Sequence, residues 1–544
     1  MLTCVAIQQQ RNAKAASRLA GRASESLKGM NSRNSTKVTC VRNYLLICIC
    51  TLLISCSDDS EGSPPVPVPP PAQNRPPQFT SPDGVVIREN LSNAYNVGVT
   101  DADNDALTVT ISGGEDANSF ELRDGVAYFR QNPDFEFPAD SDADNVYKIT
   151  LSVTDGTATT TKNVTIRVEN DREGISVRRV ASGLDRPVSL TGRDGDANAY
   201  VLLADGTILM LNPASGEIST ISKIRTATLP GPIRAIDFTT STEWRTPQVE
   251  DGQFFVLLQS DKELRLQQHR VSLGADRGES VLSLGYYEEE ANATITLGST
   301  METFLRDDSG SPIRSKIVDL IFVATGAGKN SLDAAHTDNF KGKLLRMYYG
   351  ASLYPDSAEE IGFHGIPENS RFKSGFPEGE FIDFIGISNP SRLTTGLNLI
   401  FADRGPSFQE INVLAQRYPR GSDFGWPSSE GAGCYSCKVQ VGAYTAIPTG
   451  TGPGEISQII GGHVVGEGPD ALKGSYVFSA ESTSNIWFSP KALTDISASF
   501  KDFAVRNRDL EPDVGSIDQV VAFGRDGAGF VYIIDTDGEI FRIE

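Results

Sequence analysis

Residues 200–212 read YVLLADGTILMLN, and residues 530–543 read FVYIIDTDGEIFRI. Both are apolar runs of strand length broken by an Asp-Gly turn. The pattern recurs in FFVLLQSD (254–261), LIFVATG (320–326), LNLIFADRG (397–405), SYVFSAES (475–482) and NIWFSP (485–490). No long amphipathic helix interrupts them. Residues 175–544 therefore form a domain of roughly 370 residues made of short strands and turns, which is most simply a β-propeller. The spacing is too ragged to count blades.

Working outward, residues 76–171 are strand-rich in a different way. VVIREN (85–90), YNVGVT (95–100), ALTVTIS (106–112), VAYFRQ (126–131), YKITLSVTD (147–155) and KNVTIRVEN (162–170) alternate apolar and polar residues. That is the period of a half-buried strand. SGGEDANS (112–119) and DGTATT (155–160) punctuate them as turns. About seven short strands in about 100 residues predict an Ig-like β-sandwich. The whole chain is thus predicted all-β, a sandwich followed by a propeller.

The sandwich concentrates acids in its loops. Asp101, Asp103 and Asp105 lie in DADND, Asp134 and Glu136 in PDFE, Asp155 in VTDG, and Asp171 after the last strand. Clustered loop carboxylates suit a hard cation with six to eight oxygen ligands; solvated loop acids are the plainer alternative. With NRPPQF before it, REN at Glu89, D-x-D, D-x-E and the late Asp-Gly, the segment resembles a cadherin repeat. That resemblance implies calcium at two poles. Asn74, Asp101, Asp103 and Asp155 would gather at the N-terminal pole, and Glu89, Asp134, Glu136 and Asp171 at the C-terminal pole. VENDREG (168–174) departs from the family's D-x-N-D-N linker, and only one repeat is present. Such modules often serve as spacers.

The second domain carries VASGLDRPVSL (180–190), FVATGAGKNSLDAAHTDNFKGKLLRM (322–347), GISNPSRLT (386–394), ADRGPSFQEIN (402–412) and GSDFGWPSSEG (421–431). In this order they resemble the glucose/sorbosone dehydrogenase family, six-bladed propellers whose enzymes oxidise sugars with pyrroloquinoline quinone. The resemblance implies calcium on the backbone carbonyls of Gly405 and Pro406. It also implies quinone contacts from Asn389 and from Arg506 and Arg508 in VRNRDL.

The family's catalytic pieces are missing. Proton removal from a sugar hydroxyl needs a positioned base, normally His. No His lies between His269 and His336, and Ala327 stands in the family's G-D-x-G turn where an Asp pairs with that base. Ser388 replaces an arginine, and SAESTSNIW (479–487) lacks the cofactor lysine. No catalytic residue is assigned. The leading expectation is a propeller that binds a glycan or another surface ligand. The alternative is a divergent quinone-dependent aldose dehydrogenase.

The N-terminus predicts where this happens. YLLICICTLLISC (44–56) follows Lys37 and Arg42. Its apolar run is short of the roughly 20 residues a membrane span needs and suits an export signal. Leu53-Ile54-Ser55-Cys56 resembles a bacterial lipobox, which implies lipidation at Cys56 and attachment to a membrane of the cell envelope. Residues 1–55 are leader, with Met30 as a plausible true start, and 56–75 are an acidic, Pro-rich tether.

Of 49 cationic and 70 acidic residues, eight cations and one acid fall in 1–55, leaving 41 against 69 and a net of −28. That charge argues against nucleic-acid partners. Five of the seven cysteines lie in the first 56 residues. The other two, Cys434 and Cys437, predict a local disulfide in an oxidising compartment.

Overall fold

The structure is a computed structural model that describes residues 73–544 except 225–233, 242–250, 261, 273–279, 287–291, 307–311, 329–330, 352–360, 366–380, 397, 415–421, 432–442, 453, 482, 491–492 and 494–497. Cys56, Cys434 and Cys437 lie outside the described residues, as do the leader and most of the tether. Among the described residues no helix is long and apolar enough to cross a membrane. The fold is all-β, as the alternating pattern predicts; the short helices are 3-10 turns such as Ser331–Ala335.

The sandwich packs a four-stranded sheet against a three-stranded one. The first is ordered Gly84–Arg88, Thr159–Glu169, Val146–Thr154, Thr108–Gly113; the second Asn93–Asn96, Val126–Phe129, Phe120–Arg123. Gly84–Arg88 runs parallel to Thr159–Glu169, and the other pairs are antiparallel. Along Val146–Thr154 the buried positions include Tyr147, Ile149, Leu151 and Val153, with polar residues between them facing outward. This period-two burial is what fixes the register. Phe120, Phe129 and Tyr147 meet at the centre, with Phe129 and Tyr147 edge-to-face at 4.9 Å.

The second domain has six blades. Its inner strands are Pro187–Gly192, Arg234–Thr240, Ala293–Arg306, Pro390–Thr395, Ile459–Val464 and Val520–Arg525. Each packs on the next, and the last returns to the first, which closes the ring. The ring is sealed by exchange of ends. Val177–Ala181, the first strand after the sandwich, pairs with the chain's last strand, Ile540–Ile543. Val177, Val180 and Ile543 are each at most 3% exposed. Burying such a side chain contributes about 1.5–3 kcal/mol, so the closing strand is held mainly by packing. Its exit from the sandwich therefore places the sandwich beside the sixth blade.

Candidate functional site: an arginine-rimmed funnel above a buried acid cage

The inner strands all begin at one mouth of the propeller. Their first residues, together with the turns that follow the second strand of several blades, enclose a central cavity of about 490 Å³. Four arginines reach it: Arg186, Arg234, Arg392 and Arg404. In a strongly acidic protein this is a local reversal of charge.

The acids beside these arginines are already engaged. Asp237 is buried on the second inner strand and accepts from Ser189 Oγ at 2.6 Å, Arg392 Nη1 at 2.6 Å and Thr294 Oγ1 at 2.7 Å. The backbone amides of Phe238 and Ile295 also donate to it. One carboxylate thus ties together blades one to four across the axis. Asp535 is likewise saturated by the amides of Asp518, Gln519 and Thr536. Neither acid is placed to take a proton from a ligand.

Histidine is absent from the cavity lining among the described residues. His463 lies at the opposite mouth, with Nδ1 2.9 Å from Thr394 Oγ1. Burial, reinforced by Arg392 and Arg525, holds its imidazole well below the ordinary range. His336 is exposed just after the Ser331–Ala335 turn, His364 stacks on Tyr348, and His269 is fully buried beside Ser222. Ala327 is buried, with its amide donated to the Ser388 carbonyl.

Asn389 and Gly405 come together on this same face. The amides of Ser388 and Asn389 donate to Asp403 at 2.9 and 2.6 Å. Beside them lies a small, partly open cavity of about 10 Å³ lined by three carboxylates, Asp403, Glu410 and Glu430, with Gly405 and Trp426. That volume is close to one water-sized sphere. Burial pushes Asp403 up to about 6. Burial, with Asp403 alongside, pushes Glu410 up to about 8. Glu430 can approach only because residue 405 is glycine, since a Cβ there would collide with its Oε1. The three carboxylates border one small void, but they do not form one of the close-set oxygen groups of metal-ligand spacing, which among the described residues lie in the sandwich. The sequence reading missed this cage, although EIN, ADRGP and SSEG carry its acids.

Part of each set that the cadherin resemblance implies lies together: Asp101 and Asp103 group with Asp105, and Glu89 with Asp134 and Glu136, while the carboxylates of Asp155 and Asp171 belong to neither close group. At the N-terminal pole Asn74 Nδ2 donates to Asp155 Oδ2 at 3.0 Å, and Arg75 pairs with Asp103 at 2.7 Å. Asp101 Oδ2 is buried without a hydrogen bond. That orphaned oxygen fits a cation there. Asp140, Asp142 and Asp144 form a further group, bonded to Lys148 and to neighbouring amides.

At the C-terminal pole the buried Glu89 accepts from the amides of Phe135 and Asp171 at 2.8 and 2.9 Å. Glu89, Asp134 and Glu136 bring carboxylate oxygens within 4.8 Å of one another.

Two quinone contacts implied by the family resemblance are placed elsewhere. Arg506 turns to the sandwich and pairs with Glu136 at 3.2 Å and Glu173 at 2.8 Å. Arg508 lies over the Phe135 ring at 5.0 Å. The Gly405 carbonyl accepts from Gln409 Nε2 at 2.9 Å and Thr449 Oγ1 at 3.2 Å, which engages both lone pairs. Pro406 follows on the same turn. The residues present therefore do not fit pyrroloquinoline quinone in the way the resemblance would hold it.

No protein-family model matches the chain, and no curated protein matches it. Solved structures do. A quinone-bound aldose sugar dehydrogenase from Streptomyces coelicolor is 17% identical and covers 68% of this chain and 98% of its own, with a TM-score of 0.45. The soluble aldose sugar dehydrogenase from Escherichia coli is 15% identical, covers 68% and 99%, and has a TM-score of 0.42. Human protocadherin-24, in its first two repeats, is 16% identical over 39% of this chain and 96% of its own, with a TM-score of 0.18.

Proposed function

We propose that the propeller is a binding domain whose funnel takes an acidic glycan, with the sandwich as a calcium-binding spacer on an exported, lipid-anchored chain. The observation that carries the reading is the convergence of Arg186 and Arg234 on one cavity whose acids are saturated, above Arg392 and Arg404, which are engaged by Asp237 and by Ile459 O. Guanidinium groups pair with carboxylates in bidentate geometry. Ser391, also at the cavity, supplies a hydroxyl suited to a sugar ring.

A general base is what sugar oxidation would need. None of the residues lining the funnel is suited to that role, so the reading stops at binding. Calcium at the N-terminal pole, with Asp101, Asp103, Asp155 and Asn74, would stiffen the spacer. Asn74 presents its amide nitrogen to Asp155, so its amide would rotate to offer oxygen. The basic, apolar and cysteine-ended segment before Ser57 supports anchoring through Cys56.

The test is calorimetric titration with oligosaccharides of uronic acids against neutral oligosaccharides of equal length. A charged hydrogen bond contributes about 1.5–3 kcal/mol, so Arg186→Ala and Arg234→Ala should each weaken acidic binding about tenfold or more. Affinity should also fall with added salt. Equal binding of neutral sugars, or no loss in the double variant, sinks the proposal.

A further inference from the structure

At the C-terminal pole of the sandwich a cation is already present, and it belongs to the propeller. Arg506 leaves the fifth blade on the loop that leads to the sixth inner strand. Its Nη1 lies 3.2 Å from Glu136 Oε2, 2.8 Å from Glu173 Oε2 and 3.1 Å from Asp509 Oδ2. The side chains of Glu136 and Asp509 are 2% and 1% exposed, and that of Arg506 12%. Asn170 joins the two domains from the other side, donating Nδ2 to Glu136 Oε1 at 3.0 Å and to Asp509 Oδ1 at 2.7 Å.

We infer that Arg506 replaces the divalent cation of this pole, so that the propeller and the sandwich are locked by a guanidinium instead of a metal ion. The argument is one of charge and room. Buried carboxylates this close repel one another unless a cation lies between them. A guanidinium brings one positive charge and several donors in a planar fork. Here one nitrogen of that fork is shared by three carboxylates, and Glu136 Oε2 has no hydrogen bond besides this ion pair. A metal ion placed among Glu89, Asp134 and Glu136 would sit against the guanidinium and be repelled by it. The loop also holds the arginine in place, because the Arg506 amide donates to Ile486 O and its carbonyl accepts from the amides of Asp509 and Leu510. The same contact explains why Arg506 is withheld from the funnel.

This inference does not depend on what the funnel binds. It is tested on the full chain by calcium calorimetry and by thermal unfolding in chelator and in millimolar calcium. Arg506→Gln leaves the carboxylates uncompensated and should gain one calcium equivalent over the wild type. Its melting temperature should become more calcium-dependent than the wild type's by about 2 °C or more. Arg506→Lys keeps the charge and should gain no site. Arg506→Gln/Glu136→Gln should lose the acquired equivalent. In the otherwise wild-type chain Glu136→Gln should leave calcium stoichiometry unchanged, which keeps the test open if the Arg506 variants fail to fold. A drop in stoichiometry for that variant, or no gain in a folded Arg506→Gln, overturns the inference.

Discussion

The acid cage beneath the funnel should make the metal-free propeller sensitive to alkali. Burial pushes Glu410 up to about 8 in the folded chain, from an ordinary value of 4.5. Between those two values the folded state holds a proton that the unfolded state has released. Unfolding is then favoured as pH rises, so stability is lost across that window and not gained. One pKa unit is worth about 1.36 kcal/mol. At pH 7, about 2.5 pH units above that ordinary value, roughly 3 kcal/mol of stability is lost through Glu410 alone. Unfolding entropy of about 2.1 cal/mol/K per residue converts this to roughly 4 °C for a unit of about 370 residues.

The assay is thermal unfolding in chelator at pH 5.5, 7 and 8.5. Wild type should fall progressively, and Glu410→Gln, which cannot ionise, should fall less. Parallel pH profiles for the two proteins in chelator would refute the reasoning, because the cage would then hold no displaced proton.

Two further outcomes follow from the same geometry. Calcium should raise the melting temperature of the sandwich by mass action, about 2.7 kcal/mol at a hundredfold excess over the dissociation constant, and Asp101→Ala/Asp103→Ala should remove most of that rise; a melt of the wild type that is identical in chelator and in calcium leaves only solvated acids. Purified protein supplied with pyrroloquinoline quinone and calcium should oxidise aldoses at least about 10²-fold below a competent enzyme, because a general base typically contributes 10² to 10⁴; ordinary turnover in a dye-linked assay would restore the dehydrogenase reading.

Much of the architecture was legible because it rests on local period. The alternation in Val146–Thr154 and the apolar runs around 200–212 and 530–543 each report their own burial, and their turns are marked by Asp-Gly or Gly. The acid sets of the sandwich were also legible, since D-x-D, D-x-E and REN each fix a loop position. What escaped was every feature made by residues distant in the chain. Asn170 and Asp509 are 339 positions apart, and nothing in VRNRDL marks Arg506 as a partner of Glu136. The cage sets Asp403 and Glu410 opposite each other on neighbouring strands and adds Glu430 from a separate turn, and nothing in the sequence marks that third acid as their neighbour. The Gly405 carbonyl was read as an open ligand because its engagement depends on Gln409 and Thr449 side chains, which no spacing encodes.

The distribution of charge connects these sites. A chain this acidic must neutralise its buried carboxylates one by one. Asp237 does so with Arg392 and hydroxyls, Glu136 and Asp509 with Arg506, and Asp535 with backbone amides. Arg392 is thus largely structural, 8% exposed and committed to Asp237. Arg186 differs. Its side chain is 70% exposed, and its one ion pair is with the adjacent and exposed Asp185. A surface pair of that kind is worth only about 0–1 kcal/mol, so an arriving carboxylate can displace it at little cost. Arg392 would give up several bonds to do the same. Recognition at the funnel should therefore be led from its rim by Arg186, with Arg392 fixing the floor on which the ligand rests.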